Sequence, residues 1–133
     1  MISKEFLEAG HAIFTVSNPS GEYYTYKVSA PHDQSEIKPI WFISVLTGPD
    51  NTTDYSYLGI LVDNKVRWTA KSKFNAETKQ FKVVEWAINL ILTDGTLPDG
   101  YKIAHIGKCA RCGRPLTTPE SLESGIGPIC AGK

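Results

Sequence analysis

Three cysteines and one histidine near the carboxy terminus carry the chemistry most readable in this 133-residue chain. Cys109 and Cys112 stand in Cys-Ala-Arg-Cys-Gly-Arg, Cys130 follows after seventeen residues, and His105 lies four positions before Cys109, giving His-x3-Cys-x2-Cys-x17-Cys. Zinc takes four nitrogen or sulfur donors at tetrahedral corners, and a Cys-x2-Cys turn brings two thiolates to one ion. Gly113 permits the sharp reversal after the second thiolate. Gly125-Ile126-Gly127-Pro128 forms a loop able to present the third, Cys130. The expected cofactor is therefore one structural Zn2+ held by His105, Cys109, Cys112 and Cys130. His105 is the choice for the fourth ligand because Tyr101 to Ile106 reads as a short strand leading into the Cys-x2-Cys turn; His11, His32, a water or a carboxylate are the alternatives. A redox Cys-x2-Cys normally opens a helix after a strand in a thioredoxin-like setting, which this sequence does not suggest. A closed Cys3His set leaves no open position for water, so the metal by itself implies no catalysis.

The run Gly107-Lys108-Cys109-Ala110-Arg111-Cys112-Gly113-Arg114-Pro115-Leu116-Thr117, closing in Gly125-Ile126-Gly127-Pro128-Ile129-Cys130-Ala131, resembles a small zinc-finger domain of unknown function common in phage and mobile-element proteins. Upstream, Trp41 to Asn51 and Asp54 to Gly59 resemble the companion region of uncharacterised phage proteins with this ending. The resemblance implies a zinc site at Cys109, Cys112 and Cys130, with His105 matching the preceding histidine, and a phage or mobile-element origin. It implies no activity.

The elements that must position these residues are legible upstream. Ser3 to Gly10 reads as a helix of two turns at most. Ala12 to Ser17 and Glu22 to Ser29 flank Asn18-Pro19-Ser20-Gly21 and read as a hairpin, with Tyr24, Tyr26 and Val28 on one face of its second arm and Tyr23, Thr25 and Lys27 on the other. Ile40 to Thr47 is nearly continuous in apolar residues, suiting a central strand covered on both faces. Tyr55 to Val62 and Lys65 to Thr69 form a second hairpin about Asp63-Asn64. Phe81, Val84, Ile88 and Ile91 then recur with helical period, predicting an amphipathic helix that Asn75 caps, Glu77 complements and Asp94-Gly95 closes. The expected fold is α+β: an antiparallel sheet of about five strands with one long amphipathic helix, followed by a small C-terminal zinc finger. The body spans residues 1–97 and the finger 98–133, packed on the body or tethered to it.

Charge divides at the same boundary. Lys and Arg number 14 and Asp and Glu 14, but residues 1–100 hold nine against twelve and residues 101–133 five against two. A net charge of zero gives no global field toward nucleic acid or membrane, so binding must come from patches. One patch is Lys108, Arg111 and Arg114 in the finger, with Lys102 just before them. Another is Lys65, Arg67, Lys71 and Lys73, interleaved with Trp68 and Phe74 and continuing to Lys79 and Lys82. Such residues track phosphates and stack on unpaired bases, although alternating cations in an edge strand also guard against edge pairing. The expected partner is nucleic acid or a host nucleoprotein or defence complex. The alternative is a protein-binding inhibitor of such a complex, anti-defence or anti-CRISPR-like, motivated by Tyr23, Tyr24, Tyr55 and Tyr57.

No catalytic set is readable. Asp50, Asp54, Asp63 and His32 share no register, and no nucleophile-elbow, phosphate-loop, His-Glu-x2-His or deaminase motif is present. The expectation is a non-enzymatic protein with no small-molecule substrate. No apolar stretch approaches the ~20 residues of a membrane span. Three cysteines without a secretory leader point to a reducing cytoplasm, that of a bacterial host if the chain is phage-derived.

Overall fold

The structure, a computed structural model, describes residues 4–8, 10–30, 40–48, 54–93 and 95–105. They form the expected α+β architecture: helix α1 (Lys4–Leu7), strands β1 (His11–Ser17), β2 (Tyr23–Ser29), β3 (Trp41–Leu46), β4 (Tyr55–Val62) and β5 (Lys65–Arg67), helix α2 (Lys79–Leu92) and strand β6 (Lys102–His105). The sheet runs β5-β4-β3-β2-β1-β6, antiparallel throughout. Five strands form a meander, and the sixth arises because the strand expected to lead into the finger adds to the free edge of β1.

Turn chemistry sets the register. In the first hairpin the Asn18 Oδ1 accepts from the Ser20 and Glu22 amides, both at 3.0 Å, and Gly21 takes φ +86°. In the second, Asp63 and Asn64 adopt φ 53° and 61°, the paired left-handed residues that match the strand twist of a two-residue hairpin. That arm ends at Arg67, two residues before the expected Thr69.

Helix α2 covers one face. Phe81, Val84, Ala87, Ile88 and Ile91 bury against Phe14, Tyr26, Val28, Ile43, Val45, Leu58 and Leu61, each large apolar side chain contributing about 1.5–3 kcal/mol on burial. Fourteen residues at 1.5 Å rise make a helix of about 21 Å, close to the ~24 Å that five inter-strand gaps span from β5 to β6. The helix thus carries the chain from one sheet edge back to the other. Its N-cap is Thr78, whose hydroxyl accepts from the Phe81 amide at 3.4 Å, in place of the expected Asn75. Asn75 instead accepts from the Glu77 amide (2.6 Å), one turn too early, so Glu77 precedes the helix and pairs with Lys82 at 3.3 Å. At the other end the cap is Thr93, whose amide donates to the Asn89 carbonyl at 3.1 Å; of the expected Asp94-Gly95 closure, Asp94 lies outside the described residues and the Gly95 amide donates to the Leu90 carbonyl at 2.8 Å.

Helix α1 packs on the same side as α2. Phe6 and Leu7 are fully buried, and the Trp41 indole donates to the Glu8 carbonyl at 3.2 Å. Among the described residues both helices lie on one side and cover β3 on one face, contrary to the expectation from its apolar run: Ile43 and Val45 are buried, whereas Phe42 on the other face is 39% exposed. No helix among the described residues is long and apolar enough to cross a membrane.

Candidate nucleic-acid interface and metal ligands

Residues paired across a sheet share a face, so the registers define the surface opposite the helices. Across it run Arg67, Ile60, Phe42 and Ser29; then Tyr57, Ser44, Lys27 and Ile13; then Thr25, Thr15 and Ala104; and finally Tyr23, Ser17 and Lys102. None of the six strands contains an Asp or Glu. Their Lys and Arg residues are Lys27, Lys65, Arg67 and Lys102, and all four stand on this face. The described acids of residues 1–100 lie in helices, turns and loops.

The aromatic groups occupy the same surface. Phe42 and Tyr57 meet edge to face with centroids 6.2 Å apart, and the Lys27 ammonium lies 4.8 Å from the centroid of the Tyr55 ring. Tyr23 is 67% exposed at the β2 end. The Tyr55 hydroxyl is buried and has no hydrogen-bond partner among the described residues, and burial pushes its pKa up from the ordinary value. A β-bulge in β4 opposite Ile43 and Ser44 turns both Leu58 and Leu61 to the core while keeping Tyr57 outward. Tyr24, grouped at first with Tyr23, Tyr55 and Tyr57, belongs to the helix side: it is half-buried, 6.3 Å from Tyr26.

The β5 end gathers the second basic patch. Lys65 and Arg67 are exposed on the edge strand. The following loop is pinned to β4, because the Lys73 amide donates to the Tyr57 carbonyl (2.8 Å) and the Thr69 hydroxyl to the Tyr57 hydroxyl (3.0 Å). Trp68, 49% exposed, ties the loop's far end by donating its indole N–H to the Phe74 carbonyl at 2.9 Å. Lys71 and Lys73, both exposed, therefore continue the β5 edge of the sheet beyond Arg67, on the side of Tyr57 rather than of Lys65. Sequence reading found this cluster and missed Lys27, Phe42 and Lys102 as members of one surface, because cross-strand register is absent from any single segment.

Of the metal set, Cys109, Cys112 and Cys130 lie outside the described residues, as do Lys108, Arg111 and Arg114. His105 is described. It ends β6 opposite Phe14, on the helix side of the sheet, half-buried with its ring 6.0 Å from the Phe6 ring. Among the described residues no three His, Cys, Asp or Glu side chains gather around a point.

Fold and surface define an α+β domain with one helix-covered sheet face and one cation-bearing face. Residues 103–133 match a family of unknown function, DUF6011. The matched segment begins inside β6, at Ile103, so its first residues are an edge strand of the sheet. No curated protein and no solved structure matches the chain.

Proposed function

We propose that this protein binds single-stranded nucleic acid, alone or within a nucleoprotein complex, on the sheet face opposite the helices. The observation that carries the reading is the charge pattern of the strands: four cations, no carboxylate, and all four cations on the aromatic face. Edge protection accounts for Lys65, Arg67 and Lys102, which lie on the outer strands. It does not account for Lys27, which stands on the interior strand β2. Cations spread over a sheet neutralise phosphates, while Phe42, Tyr57 and Tyr23 offer stacking planes that any base can use.

The same proposal places one structural Zn2+ in the carboxy-terminal segment on His105, Cys109, Cys112 and Cys130. A half-buried imidazole at the end of β6, four residues before the first thiol, suits the borderline-soft donor set that zinc prefers. The metal would fold the finger, and Lys108, Arg111 and Arg114 would extend the basic surface beyond β6. A phage or mobile-element setting, implied by the resemblance of the finger, makes a host nucleoprotein or defence complex the natural target. Tyr23 and Phe42 are exposed enough to serve a protein partner as well.

The test is anisotropy of labelled single-stranded DNA and RNA. Three to four phosphate contacts give an affinity that falls about 20- to 50-fold between ~50 and ~200 mM salt. The Lys65→Glu, Arg67→Glu pair should flatten that slope, and Phe42→Ala should weaken binding at both salts. Absence of binding at ~50 mM salt would sink the nucleic-acid reading. Capture of a protein from a nuclease-treated host lysate, lost on Tyr23→Ala and Phe42→Ala, would establish the inhibitor reading instead.

A further inference from the structure

On the helix side, a cavity of ≈ 470 Å³ opens between the start of α2, the first hairpin and the turn before β6, a size within the roughly 300–1,000 Å³ of small-ligand sites. Its walls include three aromatic side chains from three elements: Tyr24 of β2, Trp86 of α2 and Tyr101 of the turn. Trp86 and Tyr101 have centroids 5.3 Å apart with planes tilted by 59°. The turn is held in place by a close approach, since a Cβ at Gly100 (φ +86°) would lie 2.7 Å from the Pro19 ring. Two lysines and one acid are the charged residues of the lining. Lys82 is paired with Glu77 (3.3 Å), which leaves Lys79 as the cation without an ion pair among the described residues. Glu22, held through an Asn18 amide hydrogen bond at 3.3 Å, stands at the hairpin side.

These groups select a ligand. An aromatic cage for a cation would not carry two lysines at its rim, and a hydrocarbon would engage neither Lys79 nor Glu22. A planar heteroaromatic with an attached anion uses all of them: rings for stacking, Lys79 for the anion, Glu22 for donors on the ring edge. A carboxylate accepts and cannot donate, which suits guanine, whose ring N1–H and exocyclic amine are adjacent donors. We propose that this cleft binds a guanine nucleotide, its base against Trp86 and Tyr101, its base edge on Glu22 and its phosphate at Lys79. The cleft lies on the opposite side of the sheet from the cationic face, so the two sites stand or fall separately.

Calorimetric titration of the full chain tests it with GMP, AMP, guanosine, and a short oligonucleotide beginning in G with and without a 5′-phosphate. GMP should bind tighter than guanosine by about three- to fivefold, the scale of one exposed charge pair, and tighter than AMP. Lys79→Gln should bring GMP down to guanosine, Glu22→Gln should bring it down to AMP, and Tyr101→Ala should weaken every ligand about tenfold through lost stacking. All three residues are exposed, so unchanged melting curves certify the variants. Tighter binding of the phosphorylated oligonucleotide would identify a strand terminus as the natural source, and tighter binding of GMP a free nucleotide. Absence of binding by both at ~1 mM, equal affinity for GMP and AMP, or indifference to the three substitutions would overturn the proposal.

Discussion

Replacing Gly59 by Ala tests the link between the sheet's geometry and its cationic edge. Gly59 is buried beside the bulge in β4, opposite Ile43. A Cβ built there would lie 2.5 Å from the Arg67 carbonyl oxygen and 3.4 Å from Cε2 of Phe81. A carbon and a carbonyl oxygen come no closer than about 3.3 Å even when weakly bonded, so several tenths of an ångström must be found. The obstacle is backbone, and it cannot rotate away as a side chain would. Relief requires β5 to separate from β4, loosening the pairs Ile60 with Arg67, Leu61 with Val66 and Val62 with Lys65. Overpacking of this kind costs about 1–3 kcal/mol, which for a domain of this size lowers Tm by about 3–12 °C. Because β5 carries Lys65 and Arg67, single-stranded nucleic-acid affinity should fall together with Tm. Gly21→Ala is the control: its φ of +86° makes alanine strained, at about 1 kcal/mol, but nothing lies within 4 Å and β5 is remote. That variant should melt lower and bind normally. A Gly59→Ala protein melting within about 1 °C of the parent would refute the placement of the bulge and the pairing of β4 with β5.

Thr78→Ala should cost about 1 kcal/mol by thermal denaturation, as lost N-caps do, and Asn75→Ala less, since Asn75 caps a turn outside the helix; the reverse order would restore Asn75 as the cap. Burial first, and then the neighbouring Tyr24, raise the Tyr26 pKa far above its ordinary value of 10.0, so above pH 10 the unfolded chain loses a proton that the folded chain keeps. The Tyr26 contribution to stability should be flat below that pH and fall by up to about 1.4 kcal/mol per unit above it; Tyr26→Phe should reduce that alkaline slope, while losing about 0.5–1.5 kcal/mol with the 2.8 Å bond to the Gln80 carbonyl. A chain purified without added zinc should carry about one zinc ion, bound more weakly after His105→Ala because three thiolates remain; well under one ion per chain in the parent by elemental analysis would show that the cysteines are not a metal site.

Local chemistry was readable where one segment decides its own conformation. Asp63-Asn64 requires two left-handed residues whatever surrounds it, and the 3.6-residue period of Phe81, Val84, Ile88 and Ile91 defines α2 without reference to the sheet. Legibility ended where two segments had to meet. The apolar run of β3 describes a central strand but not how many layers cover it; Phe42 sits in that run and is nonetheless exposed, because both helices fall on one side. Asn75 and Thr78 are both good caps, and the choice between them depends on where the first turn meets Tyr26. Tyr23 and Tyr24 look equivalent as neighbours, yet alternation sends one to the cationic face and the other to the cleft. The strand at Tyr101 to Ile106 was visible, but its place beside β1 depends on α2 being long enough to cross the sheet.

That last placement bears on how the finger could communicate with the rest of the protein. Successive residues of the β6 region serve different surfaces: Tyr101 lines the cleft, Lys102 joins the cationic face, Ile103 enters the core at 7% exposure, and His105 returns to the helix side against Phe6. Among the described residues this four-residue strand has one hydrogen-bonded neighbour, β1, which makes it among the easier parts of the sheet to displace. Tension or order imposed at His105 by metal in the proposed finger would therefore pass along β6 to Lys102 and Tyr101. Zinc loading should then alter protection of the β1 and β6 amides in hydrogen exchange while leaving β3 and β4 unchanged. Uniform protection across the sheet, with and without metal, would mean that the finger hangs from β6 without acting through it.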